Sequence, residues 1–297
     1  MKTLKKDMPL HIMMLPSVII LILYSYIPMV GIIIAFQNYK SYLGVFKSNF
    51  VGFSNFITLF SSPGFGLALR NTIVIALVKI VTGILVPVFF ALLLNEVSSY
   101  VFKRTVQTII YLPFFISWVL MAGIIIDILS PTDGIINTFL NLLGIKSVFF
   151  LGDNRWFPVT LIVTNIWKDF GWGTIIYMAA LAGVDVTLYE AAIMDGASRF
   201  KQTLHITLPG IATTIILISV LSLGNILNAG FDQIFNLISP ITMESGDIID
   251  TLVYRLAFVD AQFSLATASG LFKSAISCIL IILSYQLAYR FTGYKVL

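Results

Sequence analysis

Glu190-Ala191-Ala192-Ile193-Met194-Asp195-Gly196-Ala197, with Ile206-Thr207-Leu208-Pro209 following nine residues after Gly196, is the stretch on which the fold of this 297-residue chain turns. Ala191, Ala192 and Ala197 keep a helix thin enough to enter a groove on another protein. Gly196 permits the positive φ at which one helix stops before another starts. Asp195 can accept from the free amides that open the second helix. Pro209 suits the first turn of the element that follows, where its missing N–H goes unused. Upstream stands Ala182-Gly183-Val184-Asp185-Val186-Thr187-Leu188-Tyr189. The periodicity of the whole loop, roughly 182–209, predicts two short amphipathic helices parallel to a membrane with a break between them.

Outward from this loop in both directions lie long apolar runs. A bilayer core needs about 20 apolar residues in helical form, and six stretches qualify: roughly 12–36, 71–94, 106–130, 157–181, 210–235 and 269–290. The chain is 58% apolar and only 11% charged, with a mean hydropathy of +0.97, which excludes a soluble domain with a single anchor. A transmembrane barrel is excluded too, because its strands alternate apolar and polar residues and these runs do not. The expected fold class is therefore all-α and polytopic, with six transmembrane helices. Met1-Lys2-Thr3-Leu4-Lys5-Lys6 has the basic character of a signal peptide, but the apolar run after it is too long and ends in Gln37-Asn38-Tyr39-Lys40, with no small-residue cleavage site. It reads as an uncleaved first span.

Lys and Arg counts set the expected orientation. With the N-terminus inside, the inner segments hold nine (Lys2, Lys5, Lys6, Lys103, Arg104, Arg199, Lys201, Arg290, Lys295) and the outer segments six (Lys40, Lys47, Arg70, Lys146, Arg155, Arg255). The bias places both termini and the 182–209 loop in the cytoplasm. The net charge of +4 is explained by this topology, so nucleic acid is not expected as a partner. The organisation expected is 1–68 for the tail, first helix and long external loop, 69–290 for the transmembrane domain, and 291–297 for a cytoplasmic tail.

Bond-breaking chemistry finds no support. A single cysteine, Cys278, and two distant histidines, His11 and His205, make neither a disulfide nor a metal cluster. No phosphate loop, His-Glu-x-x-His or nucleophile elbow occurs, so the chain does not split ATP in the phosphate-loop manner. Gly171-Trp172-Gly173 falls inside a span and is read as a kink.

Glu-Ala-Ala, three residues, Gly, nine residues, then Ile-x-Leu-Pro resembles the "EAA loop" of ABC-importer permeases of the type I fold, and each anchor position matches. The resemblance implies that Glu190, Ala191, Ala192, Asp195, Gly196, Ile206, Leu208 and Pro209 form coupling helices seated in clefts of ATPase subunits. Asn165-Ile166-Trp167-Lys168-Asp169-Phe170-Gly171-Trp172-Gly173 is similar to carbohydrate-type permeases. The segments Tyr24 to Met29, Ile34 to Tyr39, Gly230 to Leu237 and Asp250 to Arg255 resemble the LplB-like branch. Thr203-Leu204 departs from many sugar permeases, which carry aromatic residues there. The family implies a bacterial cell-membrane location, a second homologous permease as a heterodimer partner, two cytoplasmic ATPase subunits holding ATP and Mg, an external sugar-binding protein, and an oligosaccharide cargo. No cofactor is expected on this chain.

Polar residues within spans are expensive in lipid and face a bundle interior or water. Asn225, Asn228 and Asp232, at i, i+3 and i+7, are expected on one face of span five; Asn165, Asp169 and Trp172, at i, i+4 and i+7, on one face of span four, with Tyr177 lower on that helix. Amides, carboxylates and flat rings suit a pyranose. The same residue types also join helices by interhelical hydrogen bonds, and both readings stand. Lys79 and Asp127 could pair with each other or with Asp169. An ion-driven transporter would use Asp169 or Asp232 for coupling but leaves the 182–209 loop without a purpose. A membrane enzyme or sensor would need a catalytic constellation or a soluble domain. Within the ABC reading, polyols, glycerol phosphates and short peptides are alternative cargoes.

Overall fold

The computed structural model describes residues 2–292. Contacts divide the chain into two compact units, Met1–Phe65 with Leu252–Phe272, and Gly66–Thr251 with Lys273–Leu297. Of the tail expected at 291–297, residues 293–297 lie outside the described residues.

In the first unit, α1 (Lys2–Leu21) passes through a π turn (Ile22–Tyr26) into a tight 3-10 stretch (Ile27–Phe36). Together they form one apolar helix, Leu10–Phe36, matching the first expected span. The winding tightens at Pro28, which has no N–H to give to an α-helical ladder. A two-residue ribbon follows, where β1 (Gln37–Asn38) pairs antiparallel with β2 (Asn49–Phe50) around α2 (Gly44–Lys47). Among the described residues it is the one sheet in an otherwise helical fold. Asn55 on α3 (Ser54–Ser61) pins the ribbon, its amide donating to Ala35 O at 2.8 Å and Gln37 O at 2.9 Å. Phe60, Phe65 and Phe272 meet edge to face, with centroids 5.1 to 5.5 Å apart.

The second unit is built from α4 (Pro63–Glu96), α5 (Tyr100–Tyr111), α6 (Trp118–Leu129), α7 (Ile135–Leu142) and α8 (Phe157–Leu181). Then come α9 (Val186–Met194), α10 (Arg199–Gln202), α11 (Leu208–Gly224), α12 (Phe231–Leu237) and the short α13 (Met243–Gly246). Residues of α14 (Ile249–Tyr254) and α15 (Phe263–Thr292) are shared by both units, Leu252–Phe272 falling to the first. One apolar core joins Ile75, Met121, Phe157, Leu161, Ile234 and Ile248; a second joins Val88, Ala91, Tyr177, Leu181 and Ile211.

Among the described residues, four helices are long and apolar enough to cross a membrane: Leu10–Phe36, Pro63–Glu96, Arg199–Gly224 and Phe263–Leu287. Two bent pairs raise the number to six if each pair is one span. The expected third span is one of them, Tyr100–Phe115 and Trp118–Leu129 meeting at 106°. Its break has local causes: Pro113 lacks an N–H within the 3-10 turn Leu112–Phe115, and Ser117 Oγ caps α6 by accepting from Leu120 N at 3.4 Å. Gly171 and Gly173 do not break α8, which is unbroken from Phe157 to Leu181. They serve close packing instead: a Cβ on Gly171 would stand 2.1 Å from Ile110 O, and one on Gly173 2.8 Å from Pro87.

Two further expectations are corrected. Span five does not run over 210–235. The apolar helix is Arg199–Gly224, a single 26-residue segment that absorbs the expected second loop helix through the π turn Thr203–Thr207. It ends at Gly224; Asn225 occupies the C-cap, and Gly230 adopts φ +96° before α12 begins. Asn225, Asn228 and Asp232 therefore do not share one helical face.

Candidate functional site

The 182–209 loop leaves α8 at Ala182, and α9 runs off at 73° to it. Asp185 starts α9: its Oδ1 accepts from Thr187 N at 2.9 Å, and that backbone bond holds the Asp185 carboxyl below its usual value of 3.8. No residue of α9 is buried; Glu190 and Ala191 are exposed, and Met194 is 87% exposed. The helix closes in a Schellman motif, Ala197 N donating to Ala192 O at 2.9 Å and Gly196 N to Ile193 O at 3.0 Å. Gly196 takes φ +72°, as the sequence predicted.

Asp195 does not cap the next helix. It forms the C-cap of α9, and Ser198 does the capping, its Oγ accepting from Lys201 N at 3.4 Å. Gln202, buried, donates to Ala197 O at 2.9 Å. Pro209 follows the π turn, in which Leu208 N reaches back to Thr203 O. Ile206 is half-buried, and Leu208 packs on the core that contains Ile211 and Tyr177. Phe200, on the other side of the Gly196 break, is 76% exposed.

A cavity of about 360 Å³ lies between α4, α6, α8 and the turn before α12. Asn165, Asp169 and Asn228 line it, together with Lys79, Trp118, Ser222 and Gln233. Asn165 Nδ2 donates to Asp169 Oδ2. Lys79 Nζ donates to Gln233 Oε1 and, at 2.7 Å, to Ala229 O. Gln233 is fully buried; its amide donates to Leu161 O at 2.7 Å and Thr164 Oγ1 at 2.8 Å.

Four of the expected path residues stand elsewhere. Trp172 stacks flat on Phe114, centroids 4.7 Å apart and 6° from parallel. Tyr177 is 1% exposed inside the second core. Asn225 and Asp232 are exposed and do not line the cavity; Asn225 Oδ1 accepts from Asn228 at 3.4 Å, and Asp232 O accepts from Asn236 at 2.7 Å. Gln233 was missed by sequence reasoning. Its signal was a second polar residue beside Asp232, just after the Gly230 turn.

The family model for the binding-protein-dependent transport system inner membrane component matches residues 83–292, and the chain belongs to that family. It is 41% identical over 291 residues to Protein LplB of Bacillus subtilis (strain 168), covering 98% of this chain and 92% of that one. It is 43% identical over 282 residues to the polygalacturonan/rhamnogalacturonan transport system permease protein YteP of the same organism, covering 95% and 88%. A solved bacterial ABC transporter involved in import of the acidic polysaccharide alginate superposes with TM-score 0.91 at 37% identity, covering 98% of each chain. A bacterial alginate ABC transporter in complex with an alginate pentasaccharide-bound periplasmic protein gives TM-score 0.91 at 38% identity, covering 99% of each. The chain has the type I importer permease fold and is a membrane-spanning permease subunit of a bacterial ABC importer.

Proposed function

We propose that this permease carries oligosaccharides. It forms half of a path completed by a second, homologous permease, and takes its drive from two cytoplasmic ATPase subunits through the loop at 189–209. The similar YteP belongs to a polygalacturonan/rhamnogalacturonan transport system, and the similar solved transporter imports the polysaccharide alginate. An external sugar-binding protein delivers that cargo, as the pentasaccharide-bound periplasmic protein accompanies the alginate transporter. Both termini and the loop face the cytoplasm, residues 69–290 make the transmembrane domain, and ATP and Mg stay on the ATPases.

The observation that carries this reading is α9. Its nine residues bury nothing, yet its start, end and flank are each fixed by a specific bond. A surface helix so defined and so uncovered is shaped for a groove on another protein. Glu190, Ala191, Ala192 and Gly196 would enter an ATPase cleft, with Asp195, Ile206, Leu208 and Pro209 setting the exit into α11. Asn165, Asp169 and Asn228 line the substrate path.

The test is recovery of tagged protein from native membranes in mild detergent, with mass spectrometry of what accompanies it. An ATPase bearing a phosphate loop, lost when 190–196 is scrambled, is the expected result. Isolation of the chain alone under several gentle conditions overturns the coupling role.

A further inference from the structure

The cavity wall carries a fixed ammonium with one hydrogen to spare. Lys79 Nζ donates to two neutral acceptors, Ala229 O and Gln233 Oε1, and an ammonium has three N–H bonds. Gln233 is itself locked by its bonds to Leu161 O and Thr164 Oγ1, so Lys79 is positioned and does not swing freely. Gly230 leaves open the space beside the ammonium: a Cβ there would stand 3.0 Å from Nζ.

The charges around this space do not balance. Lys79 and Asp169 line the cavity. Behind them Lys168, buried, donates to Phe114 O at 2.8 Å and sits 5.5 Å from the centre of the Trp118 ring. Asp169 acts electrostatically on both lysines, but among the described residues no carboxylate makes an ion pair with either one. Two ammonium groups against one carboxylate leave one positive charge uncompensated at membrane depth. Such a charge is expensive and marks a substrate pathway.

We propose that the third N–H of Lys79 receives a carboxylate of the cargo, so that the path selects a uronate-bearing oligosaccharide over its neutral counterpart. This rests on the reading of the chain as an oligosaccharide permease. A sugar hydroxyl can satisfy the free N–H but leaves the surplus charge; a singly charged carboxylate satisfies both. Asn165 and Asn228 line the same wall, each with one amide hydrogen bond already made, to Asp169 and to Asn225, and their remaining amide hydrogens can meet ring hydroxyls.

The experiment uses the purified transporter complex without its external binding protein, so that the membrane cavity alone reads the ligand. Binding of trigalacturonate and of its carboxyl-reduced neutral trimer is measured for wild type, Lys79→Gln and Lys79→Arg. The acidic trimer is expected to bind the wild type more tightly, to weaken about tenfold in Lys79→Gln, the size of one charge-assisted hydrogen bond, and to recover in Lys79→Arg. The neutral trimer is expected to be indifferent to all three. Equal loss for both trimers in Lys79→Gln makes Lys79 a packing residue and overturns the proposal. Should that variant fail to assemble, salt decides on the wild type: KCl must weaken the acidic trimer alone, and an equal response refutes the idea. Neutral and acidic trimers binding equally well removes the charge selection while the oligosaccharide reading survives. If neither binds, and neither stimulates ATP hydrolysis when the binding protein is restored, both fall together.

Discussion

The hydroxyl of Tyr189 donates to Thr207 Oγ1 at 3.0 Å, joining the two arms of the loop across the Gly196 break. Tyr189 belongs to α9 and Thr207 to the π turn that runs into α11. It ties the two arms side chain to side chain, apart from the backbone that joins them. Tyr189→Phe removes it and little else. It should cost about 1 kcal/mol of local order, speeding hydrogen exchange of the 186–194 amides about fivefold. In proteoliposomes of the whole complex, less sugar should then enter per ATP split; an unchanged ratio would leave the bond without a coupling role.

Gly196→Val tests the break itself. Nothing lies within 4 Å of a Cβ built there, so the cost is the backbone at φ +72° and not a clash. That cost is about 1–2 kcal/mol for an ordinary side chain, least for Asn and greatest for β-branched residues. Val should abolish uptake with normal amounts of protein in the membrane, while Asn retains most of it. Equal activity in both variants, by uptake assay and immunoblot, would show that the turn tolerates any residue.

Asp185 gives the loop a sensitivity to acid. Its carboxyl is held below 3.8 chiefly by the bond from Thr187 N, so the folded state favours the ionised form. Such a group contributes order that is fully present above its unfolded value and is lost as pH falls through the lower folded value. The start of α9 should therefore stay capped at neutral pH and loosen only well below pH 4. Asp185→Asn keeps the cap and removes the titration. Amide exchange at Thr187 and Leu188, followed against pH in both forms, should show an acid step in the first and none in the second.

Lys273 on α15 meets Asp250 on α14 at 2.5 Å, with 16% and 24% of the two side chains exposed. Removing one partner strands the other charge. Lys273→Met alone should destabilise the protein by about 2 kcal/mol, less than a fully buried pair because solvent still reaches both groups. Adding Asp250→Asn should restore much of that loss. Thermal unfolding of the detergent-solubilised single and double variants checks it; additive losses would mean that the pair contributes nothing jointly.

The spans and the Gly196 turn were legible in the sequence because each depends on local composition: some 20 apolar residues, or one residue without a Cβ. The breaks were harder. Pro113 lies in a run as apolar as its neighbours, and only Ser117, an unremarkable polar residue, marks where α6 restarts. The spacing of Asn225, Asn228 and Asp232 fits a helix perfectly well, yet Gly224 and Gly230 interrupt it. Asp195 and Ser198 could each have capped the next helix; the Schellman closure of α9 took Asp195 for its own C-cap. Least legible were the tertiary bonds. Lys79 settles on a carbonyl 150 positions away, and Trp172 turns from the cavity to stack on Phe114. No pattern in the chain announces either.

The π turn at Thr203–Thr207 also sets a phase. It places one extra residue within a single winding of the 26-residue helix. An α-helix advances about 100° per residue, so that one residue decides which way everything beyond it points. With it, Ile211 meets the core and Ser222 meets the cavity. Deleting one position from the turn would rotate both away by that angle while leaving every apolar residue of the span in place. What this helix presents to the cavity is thus governed by a miscount about 25 Å along the axis, outside the apolar stretch on which the span was recognised.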